Sequence, residues 1–295
     1  MTHPTIGFIG LGLMGAAMVG RLQDQGYALT VLGNRDRTGV DAALARGATE
    51  ARSAKALAAS SDIVMLCMGT SDQVEGRMRG PDGVIAGLGA DKVVIDFGTS
   101  LPSSTKALGA EVARTGAVML DAPLGRTPSH AKDGLLNIMA AGDRPTYERV
   151  RPVLDDLGEN VFHLGDLGSG HTIKLINNFF AMTTANAMSE AFAMADAAGI
   201  DRQGLYDVMS AGPLKSGMMD FIKAYAVDGD ARMLAFAVRN GAKDVGYYRR
   251  MAGDLGADTI MSACADAAMQ AAIADGRGED MVPQMVDFYA ARFKG

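Results

Sequence analysis

Cysteine is scarce, tryptophan is missing, and no stretch carries charge of one sign. The two cysteines, Cys67 and Cys264, lie far apart in the 295-residue chain and lack C-x-x-C spacing. Neither a disulfide framework nor a zinc site is expected, and both read as core thiols. The four histidines show no metal-ligand spacing, so no metal is expected. With a formal charge of −6, no polybasic run and only seventeen tyrosines and phenylalanines together, the chain has no electrostatic footprint for nucleic acid. No run reaches the ~20 apolar residues needed to span a bilayer. The first residues lack the basic start and cleavage site of a secretory signal, so a cytoplasmic location is the default expectation.

What remains is a chain that is 48% hydrophobic and 21% charged, ample for a buried core and long enough for two domains. Short apolar runs at 5–10, 27–32, 62–68, 92–98 and 117–123 read as strands. They alternate with helix-like segments at 16–26, 53–60 and 102–115, which is the pattern of a doubly wound parallel sheet of the Rossmann type. After "NVFHLG" (160–165) no strand pattern follows. Residues 168–198 read as one helix of roughly thirty residues, about 45 Å long, suited to joining two domains. Further helices are expected at 203–210, 216–226, 233–253, 258–275 and 281–293. The boundary is placed near residue 165, giving an α/β domain (1–165) and an all-helical domain (166–295). Twenty methionines fall mostly in apolar helical stripes, and Met182, Met188 and Met194 read as core.

Gly10-Leu11-Gly12-Leu13-Met14-Gly15 follows the first strand and opens the first helix. There the glycines permit a tight turn, close approach of backbone to a pyrophosphate, and close helix packing, with the helix N-terminus facing the anion. NAD or NADP is the expected cofactor. An acid at the end of the second strand accepts ribose hydroxyls, whereas an arginine accommodates a 2′-phosphate. This chain reads "VLGNRDRTG" (31–39), with Gly33 and Asn34 at that place and Arg35 and Arg37 behind. The pattern leans toward NADP(H), and Asp36 keeps NAD(H) open. Met68, at the end of the run 62–68, is assigned to the same site.

In "GSGHTIKLINNFF" (168–180), Lys174, Asn177 and Asn178 stand at i, i+3 and i+4 on one helix face. Such polar groups in an apolar run need partners if buried. His171, one turn earlier, is expected at the helix surface or cap.

The sequence resembles the β-hydroxyacid dehydrogenases, through "GFIGLGLMG" (7–15), the loop starting at Asp121, "GSGHTIKLINN" (168–178) and "AKDVG" (242–246). The resemblance implies a Rossmann domain followed by a helical one, and a homodimer or homotetramer. It makes Lys174 the catalytic acid/base, lets Asn178 help hold substrate with Asn177 beside it, and puts Lys243 and Thr99 near the nicotinamide. The chemistry agrees, because hydride delivery to a carbonyl builds charge on oxygen that an ammonium stabilises and protonates.

Where most members carry Ser-Gly-Gly, this chain has Gly125-Arg126-Thr127. A guanidinium fork there suits a carboxylate, sulfonate or phosphate oxygen pair. The loop is similar to that of the sulfolactaldehyde-reducing branch, whereas Phe179 and Ala181 replace hydroxyl-bearing residues of that branch. A small anionic aldehyde or its hydroxy acid is the expected substrate, with succinic, methylmalonate or tartronate semialdehyde as alternatives to the sulfonate. A catalytically silent dinucleotide-binding module is the rival of a different class, and Lys174 speaks against it.

Overall fold

The computed structural model describes residues 3–293. The chain divides into two compact units, Met1–Lys174 and Leu175–Gly295. Six strands of the first unit are β1 (Ile6–Ile9), β2 (Leu29–Leu32), β3 (Thr49–Ala51), β4 (Ile63–Leu66), β5 (Val93–Asp96) and β6 (Val118–Asp121). They form one sheet in the order β3-β2-β1-β4-β5-β6, every pair parallel. Connections run one way from β1 to β3 and the other way from β4 onward, which opens a crevice at the carboxyl ends of β1 and β4.

Helices cover both faces, so the central strands are buried throughout rather than alternating with polar residues. The pleat still sorts them. Phe8, Val31, Met65 and Ile95 enter one core. Ile9, Leu32, Val64, Leu66 and Val94 enter the other. The five expected strands and the helices over 16–26, 53–60 and 102–115 form within a few residues of their expected places.

A second sheet of β7 (Leu124–Gly125), β8 (Leu136–Ala140) and β9 (Gly158–His163) completes the unit, with β7 antiparallel and β9 parallel to β8. Sequence pattern gave no sign of β3, β7 or β8. β3 is a polar three-residue edge strand, and β7 has only two residues.

The second unit is helical, with cores of Met182, Phe192, Met219, Ile222, Val245, Met269 and Phe288. The long helix spans Ser169–Ala197, and others cover Arg202–Ser210, Gly217–Ala226, Val238–Asp254, Ile260–Ala274 and Met285–Phe293. The segment expected as one helix over 233–253 is broken, with a 3-10 turn at Ala231–Leu234 before the helix starts at Val238. Met182 and Met188 are buried as expected, but Met194 is 54% exposed. At about 100° per residue it points some 120° away from Met182, outside the arc of Ala185, Met188, Phe192 and Ala193. Cys264 is likewise exposed, because Ser262, Ala265, Met269 and Ala272 define the inward stripe of its helix.

Candidate active site

The glycine loop lies at the end of β1, and its three glycines meet different surroundings. Gly10 has φ +99°, and a Cβ there would lie 2.3 Å from the Cys67 carbonyl oxygen at the end of β4. A Cβ on Gly15 would lie 1.9 Å from the Gly10 carbonyl oxygen. Gly12 meets nothing within 4 Å. Thus Gly10 and Gly15 are required by the fold itself, whereas no contact among the described residues requires Gly12. It caps the helix Leu13–Asp24, whose first turn holds no acid and begins with a largely exposed Leu13. Open space before unsatisfied helical N–H groups fits a dinucleotide pyrophosphate. Met68 and Thr99 follow the neighbouring strands β4 and β5, and a Cβ on Gly98 would stand 3.0 Å from the Met68 carbonyl oxygen. Both are half-buried at the same carboxyl edge as Leu11 and Met14.

At the end of β2, Asn34 and Arg35 are exposed. The two neighbours weighed with them are engaged. Asp36 accepts the Thr38 N–H at 2.9 Å, and that bond holds its carboxyl below the usual range. Arg37 forms a two-pronged ion pair with Glu50 on β3 and a further bond to Asp41. Glu50 has no counterpart in the sequence reading, since nothing local marks it.

His171 departs most from expectation: it is fully buried rather than at the helix surface. Its Nδ1 lies 2.8 Å from Thr105 Oγ1, and its Nε2 lies 3.2 Å from the Gly98 carbonyl. Buried Asp96 and Asp121 lie 3.8 and 3.7 Å from the ring nitrogens. Asp121 also accepts the backbone N–H groups of Gly168 and His171, both at 2.7 Å, and so caps the start of the long helix. Burial raises its pKa against the opposing pull of His171 and those two donors. The ends of β5 and β6 thereby grip the first turn of the helix, and half-buried Lys174 follows one turn later. Sequence reasoning missed Asp96, Thr105 and Asp121 because they lie 50 to 75 positions from His171, beyond any local pattern.

In the loop after β7, Arg126 has φ +77°, a region that non-glycine residues rarely occupy. Its Nη1 donates to the Leu135 carbonyl at 2.7 Å and pairs with Glu159. Those contacts use one nitrogen of the fork and leave Nε and Nη2 outside them. Half-buried Gly125 pairs with Asn137 of β8, and Thr127 caps a short helix while its Oγ1 meets His130 Nδ1 at 2.7 Å.

In the second unit, buried Asn178 donates to Asp244 Oδ2 at 2.6 Å and receives a bond from exposed Asn177 at 3.2 Å. Lys243 pairs with the other Asp244 oxygen at 3.0 Å. Asp244, only 2% exposed, therefore ties Asn178 to Lys243, and no local sequence pattern marks it. Phe179 stacks on Tyr248 at 4.3 Å between centroids.

The family model described as the NAD binding domain of 6-phosphogluconate dehydrogenase matches residues 5–165. A second, the NAD-binding domain of NADP-dependent 3-hydroxyisobutyrate dehydrogenase, matches residues 168–289. The chain belongs to the 3-hydroxyisobutyrate dehydrogenase-like family. Within this family, the 3-sulfolactaldehyde reductase of Escherichia coli K12 is 30% identical over 276 residues, covering 92% of this chain and 91% of that one. An NAD-dependent L-serine dehydrogenase of Pseudomonas aeruginosa is 34% identical over 204 residues, 69% of this chain and 68% of its own. The solved structure of a Mycobacterium tuberculosis 3-hydroxyisobutyrate dehydrogenase with L-serine matches at TM-score 0.84 and 25% identity, covering 97% of this chain and 99% of that one. As a member of the family, this chain is an NAD(P)-dependent oxidoreductase acting on hydroxy acids. Among the described residues no helix is long and apolar enough to cross a membrane, and no group of three metal-ligating side chains forms.

Proposed function

We propose that the enzyme interconverts a small anionic aldehyde and its hydroxy acid, with 3-sulfolactaldehyde as the preferred type of substrate. The observation that carries this reading is Arg126. Holding a non-glycine residue at φ +77° costs on the order of 1 kcal/mol, and such strain persists where surrounding structure and function demand it. Anchoring through Nη1 leaves two donor nitrogens of a rigid fork for an oxyanion. Gly125 and Thr127 flank it as further substrate contacts.

The nicotinamide supplies or accepts the hydride when bound. Lys174 protonates the carbonyl oxygen during reduction and takes the proton back during oxidation, while Asn177 and Asn178 orient the substrate. Gly10 to Gly15, Asn34, Arg35, Met68, Thr99 and Lys243 hold the cofactor. Residues 1–165 serve cofactor binding, and residues 166–295 serve substrate binding and assembly into a homodimer or homotetramer in the cytoplasm.

A carboxylate semialdehyde is the second reading. Phe179 and Ala181 offer no hydroxyl, and Phe179 is committed to its stack on Tyr248. Initial rates with 3-sulfolactaldehyde, succinic semialdehyde and methylmalonate semialdehyde separate the two. Arg126→Ala should lower kcat/KM for the preferred anionic aldehyde roughly 30-fold or more, the cost of removing a charged partner. An uncharged aldehyde of similar size should react equally poorly with both forms. Equal damage to charged and uncharged substrates would reduce Arg126 to a loop-shaping role.

A further inference from the structure

Gly33 stands where an acid at the end of β2 would accept ribose hydroxyls. A Cβ at that position would lie 2.3 Å from Glu50 Oε1 and 2.9 Å from Arg37 Nη1. The carboxylate that β2 lacks is therefore delivered from β3, where Glu50 is in register with Val31. Arg37 donates Nη1 to Oε1 at 3.0 Å and Nη2 to Oε2 at 2.9 Å, and its Nε reaches Asp41 at 3.1 Å. Together with Asn34 and Arg52 the pair lines an open cavity of ≈ 570 Å³. One cavity thus holds a carboxylate suited to a ribose diol and a guanidinium fork suited to a phosphate, each occupying the other.

We propose that Glu50 sets the discrimination between the two dinucleotides by competing with the 2′-phosphate of NADP(H) for the Arg37 fork. This rests on the reading that the cavity at the end of β2 receives the adenosine ribose. Both partners are partly exposed, and an ion pair of that kind holds weakly enough to exchange. A phosphate brings more charge and three acceptor oxygens to the same fork, but it must first displace the carboxylate from it. A diol meets no such obstacle and finds an acceptor waiting. Arg35, which has no carboxylate partner among the described residues, adds general attraction for either ligand but not the choice between them.

Calorimetric titration of the full chain with 2′,5′-ADP and with 5′-AMP, at one fixed ionic strength, tests this without turnover. Glu50→Gln should tighten 2′,5′-ADP about two- to five-fold, the range of one exposed charge competitor removed, and leave 5′-AMP unchanged or weaker. In an Arg37→Gln background the same substitution should give no gain. Unchanged 2′,5′-ADP affinity in Glu50→Gln, with 5′-AMP still bound, would overturn the competition. A gain that persists without Arg37 would overturn it too, since charge removal alone would then suffice. Failure of the unaltered protein to bind either fragment would instead overturn the placement of the ribose.

Discussion

Two alanines in one glycine motif should fail in opposite ways. In Gly15→Ala the new Cβ starts 1.9 Å from the Gly10 carbonyl oxygen, whereas real Cβ atoms keep at least 3.0 Å, so helix and loop must part by 1.1 Å or more. Phe8 Cε1, 3.0 Å from the same point, blocks a sideways escape. Overpacking of this kind costs about 1–3 kcal/mol, and alanine's better helix propensity returns up to ~1 kcal/mol. A net loss of roughly 1–2 kcal/mol lowers the melting temperature by about 2–8 °C for a unit of this size. In Gly12→Ala the Cβ meets nothing and φ −70° suits any residue, so the poorer cap is offset by the lower entropy of the unfolded alanine chain, and stability should change by no more than ~0.5 kcal/mol. The methyl group would nevertheless fill the space before the helical N–H groups. Both variants should therefore bind NADPH at least about ten-fold more weakly, but only Gly15→Ala should melt early. Circular-dichroism melts and titrations of NADPH fluorescence read the two effects separately. A Gly12→Ala protein that binds normally, or that melts as early as Gly15→Ala, would refute the division of roles.

Lys174→Ala should lower kcat by roughly 10²–10⁴-fold with cofactor binding intact, as for loss of a general acid, and near-normal turnover would remove Lys174 from the chemistry. Asp62 clamps the starts of β1 and β4 by accepting the Thr5 N–H and hydroxyl, both at 2.8 Å, and the first of these bonds does most to hold its carboxyl below the usual 3.8. A depressed folded pKa stabilises above the unfolded value and is lost as pH falls through the folded one. The gap in urea midpoint between the unaltered protein and Asp62→Asn should stay constant from about pH 8 to 5 and close below about pH 4. A gap unchanged under acid would mean that the ionised carboxylate is not the source.

The sequence by itself determined whatever rests on short-range pattern. Apolar runs bounded by glycine, with helical spacing between them, specified the five main strands, the glycine loop and a helical second half, because strand and helix periods are local properties. Family motifs likewise marked Lys174, Asn178 and Lys243. Tertiary structure decided what those residues touch. It made His171 the buried meeting point of Asp96, Thr105 and Asp121, put Asp244 between Asn178 and Lys243, and bound one arginine nitrogen of Arg126 to Glu159. It also placed Glu50 in the space that Gly33 leaves empty, although β3 is too short and polar to announce itself. Strand order and helix register bring such groups together, and neither is written in any single stretch of chain, so the partners of a charged side chain follow only once the sheet has assembled.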